Sequence, residues 1–566
     1  MTSASSASGI SSLVRFKIVN GMESGMRALH KLSLLVLVCG MALGSGWAQA
    51  PICPPRPNPG NPVLNPPDLY SQNGVLTVNL TLQNQLDQYG FMHYCYVYVQ
   101  PGGRTIEAPT LRLNPGDQLV LNLTNNIQAP YGFESRHAPM VMENMHHAGS
   151  VHGTGGSDDD CNGGTIVPSS TNLHFHGLNV PPICHQDDVL DTIIPSGTPA
   201  FQYSIQIPLN EPPGLYWYHP HAHGYTAQQV RGGAAGALII EGNQPLAQNL
   251  PERVLILRQQ FKNSPARDPD ANSQLTLNFQ PAIYPDGGPA PIIHVPAGQA
   301  EYWRFLNATT LSFASLQVLF ADTPQPLQVL AIDGVQLQTP ITETTVYVPP
   351  AGRAEFVVPG VPAGQVATFV NNGYNTGPIG DPNPYQLLAN ITPDGQGGAQ
   401  HPVPHPIKPP TEPQRFAGLA TQIPTATRDL YFSEQAVATG APVQFFITVQ
   451  GQVPKVFNIN DPPNIVTNTG AVEDWTIENR SGEVHAFHIH QIHFLVESIS
   501  GVPLQNPYMA DTVIVPNWSG SGPYPNVKVR MDFRDPNIAG TFVYHCHILD
   551  HEDGGMMGKI QVNSTN

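Results

Sequence analysis

The sequence predicts an all-β protein of three β-sandwich domains, and three observations carry that prediction. Pro is 59 and Gly 52 of 566 residues while charged residues are only 11%, a balance that favours many turns between short strands over long solvated helices. Short runs alternate apolar and polar residues, the period-two signature of a half-buried strand. One pattern also occurs three times: an alternating run, a Gly turn, a second alternating run, then Asn nine residues after the Gly. Its copies run from Pro109 through Gly116 to Asn125, from Pro291 through Gly298 to Asn307, and from Asn464 through Gly470 to Asn479. The glycines stand 182 and 172 positions apart, a period expected of three domains of similar plan. Each copy reads locally as a β-hairpin. The expected division is 1–50 as leader and upstream segment, 51–245, 246–415 and 416–566 as domains, with the Pro-rich stretch Pro402–Pro413 leading into the third.

Along the chain, the leader comes first. Arg27, His30 and Lys31 form a basic region, Leu32 to Leu43 an apolar core, and Ala48-Gln49-Ala50 a small-x-small cleavage site, which together read as a secretory signal. The apolar run is too short to span a bilayer. An exported chain, periplasmic or secreted, is expected. Net charge is −17, and residues 1–50 carry +3, so the remainder carries −20. That balance argues against nucleic acid and against an anionic membrane surface as partners. Cys39 leaves with the leader. Cys53, Cys95, Cys161 and Cys184 then allow up to two disulfides in three pairings, and Cys546 belongs to a different motif. Seven Asn-x-Ser/Thr sites occur, Asn79 and Asn307 among them. They matter only in a host that glycosylates, and the cleavage site reads as bacterial.

After Asn125 the first domain carries an insertion, 127–170, with His137, Met140, Met142, Met145, His146, His147, His152 and Asp158-Asp159-Asp160. Thioethers and imidazoles suit cuprous ion, so the segment is either a copper-recruiting or substrate loop, or a mobile Gly-rich lid. His174-Phe-His176-Gly177 and Trp217-Tyr-His219-Pro-His221 follow it. The second domain has Ala-Thr-Thr-Leu-Ser after Asn307 and no histidine there, which leaves it a spacing and shaping role. The third has His485-Ala-Phe-His488-Ile-His490 and then Tyr544-His545-Cys546-His547-Ile-Leu-Asp-His551-Glu552-Asp553-Gly-Gly-Met556.

Strand parity sorts these residues. Neighbouring side chains on a strand point to opposite faces, so Cys546 faces one way and His545 and His547 the other. His485 is three residues from His488 and so has opposite parity. Eight histidines (His174, His176, His219, His221, His488, His490, His545, His547) thus fall on one side, and His485, Cys546 and His551 on the other. A structural zinc site takes four ligands and closes, which fits this set poorly. Eight imidazoles beside a Cys, two His and a Met favour copper. His185, His223 and His493 read as supporting or surface residues.

All four motifs, in order and across essentially the whole processed chain, resemble those of the multicopper oxidases: laccases, bilirubin oxidases and bacterial cuprous oxidases. The resemblance implies three cupredoxin-like Greek-key sandwiches and four copper ions. Type 1 copper would lie at His485, Cys546 and His551 with Met556 axial. Type 2 copper would be held by His174 and His488. One type 3 copper would take His176, His219 and His547, and its partner His221, His490 and His545. It further implies one-electron oxidation of phenols or aromatic amines coupled to four-electron reduction of dioxygen, with Glu552 and either Asp187 or Asp188 relaying protons. The alternatives are a metallo-oxidase acting on Cu(I), Mn(II) or Fe(II), a copper-binding structural envelope protein, and a copper nitrite reductase. The last is disfavoured by the His545/His547 pair within a three-domain chain. The self-contained pair of metal domains makes a monomer the default expectation.

Overall fold

Strand after strand in this chain buries one face, and the described residues form six sheets. The computed structural model describes residues 53–86, 92–128, 161, 164–261, 273–282, 288–395, 415–436 and 443–565. The leader, nearly all of the Met- and His-bearing insertion and the stretch 402–413 lie outside them.

The sheets come in three pairs that are consecutive along the chain. In the first pair, Val78, Leu80 and Leu82 of one sheet share a core with Leu111, Leu113 and Leu238 of the other. The middle pair packs Trp303, Phe305 and Phe356 against Leu316, Val318 and Phe369. The last packs Trp475, Ile477 and Val529 against Phe487, Tyr544, Cys546 and Met556. Face-to-face packing of two sheets around interdigitating side chains is the β-sandwich. Among the described residues the helices are Thr226–Arg231 and Leu549–Asp553, with two short 3-10 turns, so the all-β expectation is met.

The hairpin reading of the repeated pattern is corrected. The two strands of each copy do not pair with one another: Thr110–Leu113 joins the sheet of Asp68–Tyr70 and Gly236–Ile240, whereas Gln118–Asn126 joins that of Val75–Leu86 and Phe201–Gln206. The same holds for Ile292–His294 against Glu301–Ala308 and for Ile465–Asn468 against Ala471–Asn479. The chain crosses between the two layers of a sandwich at a Gly with positive φ: 82° at Gly116, 73° at Gly298 and 89° at Gly470. Period-two alternation reports which face is buried and is blind to which strand lies alongside.

The repeated Asn has a common job. Asn125, Asn307 and Asn479 are fully buried, and each side-chain amide donates to two backbone carbonyls: Ser169 and Ile194, Ser312 and Val348, Glu483 and Val515. Each side-chain oxygen accepts from the backbone N–H two residues on, at Ile127, Thr309 and Ser481. A buried turn is thereby satisfied without a ladder. Asn307 and Asn479 are therefore closed to glycosylation in the folded chain.

Two disulfides close, Cys53–Cys95 and Cys161–Cys184, and Cys546 is free and buried. The first and last sheet pairs meet around the helix Thr226–Arg231. Asp553 accepts the backbone N–H groups of Gly224, Thr226 and Ala227, and Arg231 pairs with Asp550.

Candidate metal centre

The short strand His174–His176 forms the edge of its sheet and pairs antiparallel with Gly214–His219, placing His174 opposite His219. In the last sheet pair, His485–Ile489 runs antiparallel to Gly540–Cys546, with His488 opposite His545 and Phe487 opposite Cys546. These two strand pairs face one another, and eight imidazoles from opposite ends of the chain interleave. His174 stacks on His490 at 3.8 Å between ring centroids, and His176 on His488 at 3.9 Å. His221 Nε2 and His490 Nε2 lie 3.3 and 3.2 Å from His545 Nε2. His176, His219 and His547 form a further triangle with centroids 5.2 to 5.7 Å apart. Ligand-capable atoms of His174 lie close to those of His176 and His219, and also to those of His488 and His490.

The hydrogen bonds of these rings leave nitrogens pointing inward with nothing to bind. His174 Nδ1 meets both oxygens of Asp187 at 3.0 Å. His219 Nδ1 donates to the Pro220 carbonyl at 2.9 Å, His488 Nδ1 to that of Asp511 at 2.8 Å, and His545 Nδ1 to that of Cys546 at 3.0 Å. His176 is reversed, its Nε2 meeting Asp511 Oδ1 at 3.1 Å. Buried and unpartnered among the described residues are Nε2 of His174, His219 and His488, Nδ1 of His176 and His490, and both nitrogens of His547. Buried imidazole nitrogens in this number are costly unless something accepts their lone pairs. Burial, and then the neighbouring imidazoles, hold His174, His176, His490, His545 and His547 far below the ordinary histidine range. Burial brings His221 down to about 3 and His488 to about 4. Neutral rings are the ligand-competent form.

The second cluster is smaller. Cys546 Sγ lies 3.6 Å from His485 Nδ1 and 3.9 Å from His551 Nδ1, and those two nitrogens are 3.3 Å apart. His485 Nε2 meets Ser481 Oγ at 2.8 Å, which turns Nδ1 toward the sulfur. His551 reaches the cluster from the helix Leu549–Asp553, so strand parity does not govern it. Met556 is fully buried in the core that holds Cys546, and its carbonyl accepts the Cys546 N–H at 3.1 Å. Burial pushes the Cys546 thiol up, so the bare side chain keeps its proton and a metal would have to displace it. A thiol and two imidazoles, with Met556 in the same core, suit copper, and the inward nitrogens of the larger cluster suit an imidazole-binding transition metal.

A sequence profile of the multicopper oxidases matches residues 165–245, and a second matches 434–566. These segments hold every one of the clustered side chains. The chain belongs to the multicopper oxidase family. A multicopper oxidase of Staphylococcus haemolyticus is 22% identical over 474 residues, 81% of this chain and 82% of that protein. A laccase of Bacillus stratosphericus is 24% identical over 403 residues, 64% of this chain and 74% of its own. Among solved structures, a multicopper oxidase from Campylobacter jejuni described as a metallo-oxidase superposes with a TM-score of 0.63 at 21% identity, covering 90% of this chain and 96% of that one. The sandwiches are accordingly of cupredoxin type. As a multicopper oxidase the chain is an oxidoreductase that uses copper, a small-molecule or metal-ion donor, and oxygen.

The acidic candidates separate in space. Glu552 is wholly buried, with its carboxylate 3.2 Å from His545 Nδ1 and 3.5 Å from His221 Nε2. Burial, then the charge of Asp553, raises it well above the carboxylate range. Asp187 is buried against His174 and also accepts from the Phe175 N–H at 2.8 Å and from Gln491 Nε2 at 2.5 Å. Asp188 caps a turn, accepting from the N–H groups of Leu190 and Asp191. His223 and His493 are buried, which corrects the surface reading: His223 packs edge-on to Phe457 and His493 Nε2 meets the Asp333 carbonyl at 2.8 Å.

Four residues at the centre escaped sequence reasoning: Asp511, Arg353, Asp333 and Gln491. None sits in a histidine motif. Gln491, at φ 60° just after His490, was hidden in plain view, since a left-handed non-Gly residue leaves no mark in sequence. Two further carboxylates line the outer edge of the thiol cluster, Glu434 Oε1 at 3.3 Å from His485 Nε2 and Glu483 Oε2 at 3.5 Å from His551 Nε2.

Proposed function

We propose that this chain is an exported, monomeric oxidase of laccase type, oxidising phenolic or aromatic-amine donors one electron at a time and reducing dioxygen to water. The observation that carries the reading is the covalent adjacency of Cys546 to His545 and His547, which joins the thiol cluster to the imidazole cluster within one tripeptide. His485, Cys546, His551 and Met556 would hold type 1 copper, and His174 and His488 type 2. His176, His219 and His547 would hold one type 3 ion, and His221, His490 and His545 the other. The three domains would be 51–245, 246–415 and 416–566. Bound copper supplies one-electron acceptance at the thiol cluster and four-electron reduction of oxygen at the imidazole cluster. The protein's own residues do the rest. The Cys546 backbone and thioether-flanked core exclude water along the link between the clusters. Glu552, touching His545 and His221, holds a proton beside the imidazoles, and Asp187 does so beside His174 while fixing that ring's orientation. Asp188 has no place in this relay.

A second reading, a metallo-oxidase, draws on Glu434 and Glu483. Carboxylates at the outer edge of His485 and His551 would attract a cationic donor, whereas a phenol would use one of them to take its proton as its electron leaves. The deciding experiment compares turnover of a phenol, an aromatic amine, Cu(I), Fe(II) and Mn(II) by the purified, copper-loaded protein. The laccase reading expects kcat/KM for the phenol or amine to exceed that of every metal ion. The reverse order assigns a metallo-oxidase. Absence of both blue absorption and oxygen uptake would leave a copper-binding structural protein.

A further inference from the structure

The middle pair of sheets supplies no imidazole to either cluster, yet one of its side chains reaches the larger one. Arg353 starts the strand Arg353–Val358, and its guanidinium is wholly buried. All five of its donors are used. Nη1 and Nη2 grip the two oxygens of Asp511 at 2.7 and 2.5 Å. The others go to the carbonyls of Ala351 and Asp333 in the same sheet pair and of Leu215 in the first. One side chain thus ties all three sheet pairs together.

Asp511 in turn touches two rings of the cluster. Its Oδ1 lies 3.1 Å from His176 Nε2, and its carbonyl 2.8 Å from His488 Nδ1. A carboxylate paired in this two-pronged way accepts only, and a carbonyl accepts only. His176 therefore carries its proton on Nε2 and His488 on Nδ1. Their remaining nitrogens, Nδ1 and Nε2, are the unpartnered ones. The backbone of Asp511 is held as well: Asp333 Oδ2 accepts the N–H groups of Asp511 and Thr512 at 3.2 and 3.1 Å. An independent mark of the same contact is Gly177, which follows His176 with φ +90°. A Cβ there would lie 2.6 Å from Arg353 Nη2 and 2.8 Å from Asp511 Oδ2.

We infer that Arg353, from the sheet pair without ligands, is a positioning residue for the imidazole cluster, holding Asp511 so that His176 and His488 present their free nitrogens inward. The inference rests on the proposed reading that these imidazoles hold copper. The two-pronged grip requires a planar guanidinium, so lysine does not replace it.

The test uses the full-length, copper-loaded protein and its R353K and D511N variants, with R112K as control. Arg112 is equally buried and pairs with Asp68, Glu241 and Glu252, none of them near the histidines' hydrogen bonds. Readouts are copper per chain, the electron paramagnetic resonance of the non-blue copper, blue absorption, melting temperature and copper retention against a chelator. Expected for R353K and D511N is intact blue absorption, an altered or depleted non-blue signal and about 10–100-fold weaker copper retention. R112K lowers the melting temperature and leaves copper unchanged. Parental copper and spectra in either folded variant would overturn the inference, as would equal copper loss in R112K. If neither variant is recovered with a parental circular dichroism spectrum, Arg353 supports the fold at large and the inference fails. If the parent protein itself takes up no copper, the copper reading fails instead.

Discussion

Glu552 and Met556 stand four residues apart and, in the proposed reading, serve different clusters, so each makes a prediction of its own. Both carboxylate oxygens of Glu552 are buried, beside the Thr226 hydroxyl and the rings of His545 and His221. A carboxyl buried beside His545 and His221 costs stability, and in the proposed reading it delivers protons there. Glu552→Gln keeps the shape and removes the titrating proton. Oxygen reduction should slow by about 10²–10⁴-fold with blue absorption intact and a changed pH profile of turnover. An unaltered rate and profile would remove Glu552 from proton delivery. In the proposed reading Met556 gives its thioether to the thiol cluster, and such a ligand tunes the potential of the site. Met556→Leu should raise the potential read by redox titration, and a potential that stays put would contradict the ligand role. At this scale the histidines and Cys546 were legible from spacing, and Glu552 only through the family resemblance. Asp511 and Gln491 were not, because they approach the cluster through folding rather than through neighbours in sequence.

The cross-sheet corner is the recurring element of this molecule. A Gly turns the chain from one layer to the other, and nine residues later a buried Asn staples the end of the second strand to two loops. In the last copy the staple adjoins the metal site: Ser481 bonds Asn479 Oδ1 at 2.9 Å and His485 Nε2 at 2.8 Å. The middle copy has the same staple and no ligand, which separates its structural role from any catalytic one. Asn307→Leu removes the side-chain partners of the Val348 carbonyl and the Thr309 N–H, while the Ser312 carbonyl keeps the Thr309 hydroxyl. It should therefore cost about 2–6 kcal/mol, at about 1–3 kcal/mol per buried group left unpaired. The shift would appear in the denaturant midpoint, with copper content of the native protein unchanged. An equal midpoint would mean the staple is dispensable. The recurrence of Gly and Asn could be read from sequence, but their function could not. An alternating run shows a buried face and leaves its partner strand open, so a hairpin was the natural reading and the wrong one.

At the scale of the whole molecule, buried ion pairs cross the boundaries between sheet pairs. Arg112 pairs with Asp68, Glu241 and Glu252, Glu252 also pairs with Arg304, and Arg304 pairs with Glu355. Burial works to raise the Glu252 carboxyl, but Arg304 and Arg112 outweigh it and hold it at about 2, against an ordinary 4.5. A carboxylate with a depressed pKa stabilises the folded state above its unfolded value, and that stabilisation drains away as pH falls from about 4.5 toward 2. At about 1.4 kcal/mol per tenfold, the loss is on the order of 3 kcal/mol. Melting temperature should fall across that range in the parent protein. Glu252→Gln should melt lower at neutral pH, with a shallower further fall in acid. Parallel acid profiles for the two proteins would show that Glu252 is not the responsible group.

The sequence by itself determined the β class, the threefold plan and the chemistry of the two clusters, because alternation, recurrence and ligand spacing are local properties of a chain. Tertiary structure alone decided that His174 stacks on His490 across more than 300 positions and that Cys53 pairs with Cys95. It alone set Asp187 against His174 while Asp188 caps a turn, and brought Arg353 from the ligand-free sheets to Asp511. Such contacts follow from how buried faces pack and how buried polar groups find partners. That is a property of the assembled layers, and no window of sequence contains it.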